Sequence, residues 1–190
     1  MSTIEEKDTL KLLTCDTIDS IYEEFKLHVL NKDARPKLYG DFVYIDCQKV
    51  IDSKFEIFWH MIGLENSKRF DVFPCYNDIS YHLCQKNCVK KRDVVLLSDG
   101  KSRNVCHYRA LRVLFLIDII NLANANNAHI KHWKKDSLDF IRYENGIIDY
   151  VAIFKKGPKF YNLVTAYPVF YIYRKNSFDI DYDNYIRSKT

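Results

Sequence analysis

The chain has 190 residues, of which 47% are hydrophobic and 28% charged, a composition that excludes a mainly disordered protein and suffices for one domain with a sizeable core. Its net charge of +4 is too mild to declare a nucleic-acid partner by itself, yet residues 85–112 carry eight Lys or Arg against two Asp, a balance that attracts phosphate. A merely soluble loop explains that segment equally well.

The chain reads as a single α+β domain over 1–190. It divides into a helical segment (1–38), a core (39–173) and a polar surface tail (174–190). The spacing predicts a first helix from about Asp16 to Leu30, capped by Asp16 or Thr17, with Ile18, Ile21, Tyr22, Phe25 and Val29 on one face. Ala34-Arg35-Pro36 ends it. Phe42–Ile45 reads as a short strand and Asp52–Met61 as a second helix. Residues 65–104 read as a long connection, and a continuous helix is expected over about 104–126, apolar almost all round after Arg112. Antiparallel sheet follows: Ser137–Tyr143, a turn at Glu144-Asn145-Gly146, Ile147–Lys155, Lys159–Tyr167 and a last strand over Val169–Tyr173.

Aromatic residues make up 15% of the chain, with 14 Tyr and 12 Phe, which serve a sheet core and can also stack on bases. Strict alternation puts Tyr161, Leu163, Thr165 and Tyr167 on one side of their strand, with pairing expected to stop at Pro168. A hydroxyl and a phenol at a strand end can grip a phosphate. Arg109 and Arg112, three apart on a helix, are neighbours suited to a phosphate or to a structural ion pair. His60, in Phe58-Trp59-His60-Met61, has the right chemistry for a general acid or base.

Five glycines are too few for a phosphate-cradling loop, and no P-loop, HExxH or GxSxG spacing occurs. Six cysteines are read as reduced thiols, since MSTIEEKDTLKLL lacks the features of a secretion signal. Val113–Ala123, broken by Asp118 and Asn121, is too short to span a bilayer. A cytoplasmic protein is expected, acting in its own or a target cell and away from membranes. Cys75, Cys84, Cys88 and Cys106, with His82 and His107, allow a zinc-stabilised interaction module as an alternative, but their spacing is irregular and no metal or other cofactor is expected.

Taken in order, Phe58-Trp59-His60, Arg109-Ala110-Leu111-Arg112, Ile130-Lys131-His132-Trp133, Asp149-Tyr150-Val151-Ala152-Ile153 and Leu163-Val164-Thr165-Ala166-Tyr167-Pro168 resemble the phage-associated barnase–EndoU–colicin–RelE-like nucleases over residues 39–173. The resemblance implies helices followed by a four-stranded antiparallel sheet carrying a metal-independent endoribonuclease site. It implies a toxin- or effector-type enzyme with RNA as substrate and an antitoxin or immunity protein as partner. His60, Arg109, Arg112, Thr165 and Tyr167 are the implied catalytic set; Lys131, His132, Trp133 and Tyr150 are expected to contact substrate, with Lys131 or His132 able to supply a second proton relay. Two departures stand out: Phe115 replaces the Trp common in the apolar helix, and residues 74–104 are rich in Cys and Lys. The rival is a non-catalytic RNA- or protein-binding module on the same scaffold.

Overall fold

The computed structural model describes residues 10–31, 35–64, 75, 82–83, 94–146, 148–169 and 171–189. Helix α1 (Ile18–Val29) starts where Thr17 Oγ1 accepts the Ser20 amide at 3.1 Å, and it buries Ile21, Tyr22, Phe25 and Val29 as the periodicity predicts. Strands β1 (Lys37–Leu38) and β2 (Asp41–Tyr44) follow. The helix expected from Asp52 begins later. Asp52 and Ser53 adopt left-handed φ of 48° and 64° and turn a small hairpin, β3 (Val50–Ile51) and β4 (Lys54–Phe55), before α2 (Glu56–Ile62).

A three-stranded sheet, β5-β7-β6, comes next in space, built from β5 (Gly63–Leu64), β6 (Val94–Leu96) and β7 (Ser102–Val105). Most of 65–93 lies outside the described residues, including Cys84 and Cys88. The long helix expected over 104–126 is corrected. The chain is a strand to Val105, one turn of helix α3 (His107–Ala110), a tight turn, and helix α4 (Phe115–Asn124). The Arg112 amide bonds to the Arg109 carbonyl, while the Arg112 guanidinium donates to the Tyr108 carbonyl at 3.3 Å, the acceptor a continuous helix would have offered the amide.

Four antiparallel strands end the sheet: β8 (Ile130–Lys135), β9 (Leu138–Asn145), β10 (Ile148–Lys156) and β11 (Phe160–Pro168). The full order is β1-β2-β11-β10-β9-β8, with β2 running parallel to the start of β11. The class is α+β, but the sheet has six strands, correcting the expected four. Residues 172–187, expected as a strand end and a loose tail, instead form helix α5 (Ile172–Arg187). Among the described residues no helix is long and apolar enough to cross a membrane.

The sheet has two covered faces. One packs Tyr150, Ala152 and Phe154 against Phe25, Phe58 and Leu116 of α1, α2 and α4. The other packs Trp133, Phe140, Val151 and Ile153 against Phe178 of α5. Phe178 is the lone buried side chain among the described residues of that helix; Tyr182 and Tyr185 pack beside it, and ion pairs add to the docking. Arg142, fully buried, donates to both Asp149 oxygens at 2.8 and 2.7 Å and to Asp179 of α5 at 2.9 Å. Lys131 bridges Glu144 and Asp179, each at 2.9 Å, and Lys175 of α5 lies 3.2 Å from Asp149. Burial alone would make Arg142 a weaker cation, but Asp149, Glu144 and Asp179 more than offset this and raise its pKa.

Removing one partner from such a cluster strands the others. Arg142→Leu is therefore expected to lower unfolding free energy by about 3 kcal/mol, read as a lower urea midpoint. An unchanged midpoint would show that the cluster does not hold α5.

Candidate active site

Beyond its first residues, β11 loses its outer partner. β2 pairs with Phe160, Tyr161 and Asn162, and among the described residues no strand pairs with Leu163–Pro168 on that side. The pairing with β10 also slips there: Phe154 faces Leu163, Ile153 faces Thr165, and Val164 is the extra residue of a β-bulge. The slip decides which side chains meet the core. Tyr161, Leu163 and Ala166 point into the main core, whereas Val164, Thr165 and Tyr167 turn to the other face. This corrects the reading that Tyr161, Leu163, Thr165 and Tyr167 share one side. Alternation fails by one residue at the bulge.

Thr165 and Tyr167 thereby enter a cavity of about 350 Å³ between the edge of β11, the end of α2 and the start of α5. His60, Gly63 and Leu64 form one wall, and Arg103 and Arg109 come from β7 and α3. Tyr171, Tyr173 and Arg174 close the side under α5. No Asp, Glu or Cys is among the described lining residues. The cavity suits an anion, and its described walls offer no carboxylate for a hard cation. Among the described residues no cluster of three or more His, Cys, Asp or Glu could hold a metal ion.

The internal contacts are specific. Arg103 Nη2 stands 3.3 Å from His60 Nε2, an approach that needs the neutral ring with its proton on Nδ1. Glu56 Oε1 lies 3.9 Å from the same nitrogen. The His60 side chain is 46% exposed, so the ring is reachable. Burial first and the Arg103 guanidinium second hold its pKa below the ordinary histidine range, against a weaker pull from Glu56. Arg109 Nη1 donates to the Gly63 carbonyl at 2.6 Å, and its guanidinium sits 5.0 Å from the centre of the Tyr167 ring. Burial lowers the Arg109 pKa, but an arginine remains charged. A methyl at Gly63 would fall 2.7 Å from the Trp59 carbonyl, so this wall admits only glycine without a backbone shift.

Four of the anticipated residues, His60, Arg109, Thr165 and Tyr167, meet in this cavity. Arg112 does not line it and folds back over the Tyr108 ring, 3.5 Å from its centre. Lys131 sits in the ion cluster beneath α5. Trp133 is wholly buried in the core on that face. His132 points to the opposite face, bonded to the buried Asp139 at 2.9 Å and stacked on Tyr39. Tyr150 is sealed in the main core beside Phe115, and burial raises its pKa. These burials correct Trp133 and Tyr150 as substrate contacts. Arg103, Tyr171, Tyr173 and Arg174 were not anticipated. The available signals were the place of Arg103 in the basic run and the Tyr-x-Tyr-Arg cluster just past Pro168. Compared with protein-family models, with curated proteins and with solved structures, the chain matches none.

The imidazole should titrate accordingly. By NMR, His60 is expected below the ordinary value of 6.5, and Arg103→Gln should raise it, because the imidazolium then loses a repelling neighbour. A His60 pKa unmoved or lowered in that variant would contradict the contact.

Proposed function

We propose that this cavity cleaves RNA by attack of a ribose 2′-OH on the adjacent phosphate, without a metal ion, in the manner of the nucleases that the sequence resembles. One observation carries the reading: the imidazole of His60, the guanidiniums of Arg103 and Arg109, the Thr165 hydroxyl and the Tyr167 phenol share one cavity although they come from four separate elements, and no carboxylate is among its described lining residues. Internal transesterification requires a base, an acid and cationic stabilisation of the phosphorane, and these groups supply all three.

In this mechanism the incoming phosphate draws Arg103 away from His60 Nε2 and leaves that nitrogen free as the base. His60 takes the 2′-OH proton, the O2′–P bond forms and the P–O5′ bond breaks. Arg103 and Arg109 neutralise the charge on the non-bridging oxygens, and Thr165 orients one of them. Tyr167, held beneath the Arg109 cation, protonates the departing 5′ oxygen. The products are a 2′,3′-cyclic phosphate and a free 5′-OH. A toxin-type role, with a neutralising protein as partner, belongs to the same proposal.

Purified protein incubated with total RNA in EDTA tests it. Wild type is expected to generate fragments ending in cyclic phosphate. His60→Ala should reduce the rate by roughly 10²–10⁴-fold, the usual worth of a general base, and Thr165→Ala should also weaken it. Undiminished cleavage by both variants would reject the site. No cleavage of any RNA by wild type would favour the binding module.

A further inference from the structure

The face of the sheet that bears Thr165 and Tyr167 does not end at the cavity. α5 covers that face over β8, β9 and β10, where Trp133, Phe140 and Ile153 lie under Phe178. It leaves β2 and the first half of β11 exposed. Phe42 and Tyr44 on β2, and Phe160 and Val164 on β11, are 48%, 43%, 37% and 44% exposed, large values for apolar side chains within a sheet. The register makes them neighbours: Phe42 pairs with Phe160, and Tyr44 with Asn162. Since Val43 and Tyr161 point into the main core, these side chains share the opposite face. The stripe runs from Phe42 through Phe160 and Asn162 to Val164, itself a lining residue of the cavity.

Its rings are held in place rather than loose. Lys37 Nζ sits 4.7 Å over the Phe42 ring. Phe160 lies against Gly157, where a methyl would fall 2.5 Å from the ring. The fringe is basic, with Lys37, Lys155 and Lys159 exposed; Asp41 is ion-paired with Lys156.

We infer that this stripe is a stacking platform for the bases of single-stranded RNA lying beside the cleaved phosphate. The inference rests on the ribonuclease reading of the cavity and adds a substrate class to it. Three features select this occupant. The stripe is continuous with the anion cavity, its aromatic faces suit any base, and its lysines complement a phosphate backbone. A base within a duplex is stacked on its neighbours and cannot lie flat on these rings, so single strands are preferred over duplexes.

The test uses the full chain and a labelled 2′-O-methylated oligonucleotide, which cannot be cut by 2′-OH attack, so binding is read apart from cleavage. Wild type should bind the single strand more tightly than the same sequence as duplex. Phe42→Ala and Phe160→Ala should each weaken single-strand binding by about tenfold, in line with measured stacking contributions. Lys37→Ala should flatten the salt dependence by about one phosphate contact. Thermal melting of each variant checks that these exposed substitutions leave the fold intact. Unchanged affinity in the Phe42 and Phe160 variants, or equal affinity for duplex, overturns the platform. The two readings fail separately. Stripe-dependent binding without cleavage of natural RNA keeps the platform and rejects the enzyme, whereas cleavage with stripe-independent binding does the reverse.

Discussion

Val164 is one residue more than β10 can match, and the consequence is a change of face for everything after it on β11. Without the bulge, Thr165 and Tyr167 would continue the line of Tyr161 and Leu163 into the core, where a threonine hydroxyl and a phenol need buried partners. With it, Leu163 and Ala166 both stay inside while the polar pair faces the cavity. The early end of the β2 pairing matters equally, because further pairing along Leu163–Tyr167 would place backbone where the cavity opens. A bulge beside a strand edge re-aims side chains at modest cost, and this cavity depends on that geometry.

The opposite wall is secured differently. Asp149 joins three pieces of chain: its carboxylate holds Arg142 and Lys175, and its carbonyl accepts the Val169 amide at 2.9 Å. That last bond fixes the connector from β11 to α5, and the connector carries Tyr171 into the cavity wall. Lys131 and Asp179 extend the same cluster, each shifting the other toward its charged form against the cost of burial. The cluster is therefore structural: none of Asp149, Arg142, Lys131, Lys175 and Asp179 lines the cavity, and they stabilise its wall from behind.

Legibility in the sequence followed the kind of force at work. The cap and apolar face of α1 are local, and Thr17 with the Ile21–Phe25 spacing revealed them. The hairpin between β9 and β10 was announced by Asn145-Gly146, where Gly146 takes a φ of 58°. The break between α3 and α4 was hidden, because a segment buried on every side has no polar face to mark its end, and an arginine side chain makes the break. α5 was hidden because its docking stripe, Phe178, Tyr182 and Tyr185, is short and mostly tyrosine, and long-range ion pairs such as Asp181–Lys135 and Asp179–Arg142 help to hold it. β8 was obscured by its alternation of Lys and His with a single buried Trp133. His60, Arg109, Thr165 and Tyr167 could be picked by chemistry, but the bulge that unites them has no glycine to signal it.

Chemical-shift mapping with a single-stranded oligonucleotide carrying 2′-deoxyribose throughout tests most directly whether these groups act as one site. Perturbations are expected at the His60 ring, the Arg103 and Arg109 guanidiniums and the Thr165 methyl, and at none of Lys131, His132 or Trp133. Shifts confined to β8, or His60 and Thr165 responding to different ligands, would contradict a shared cavity.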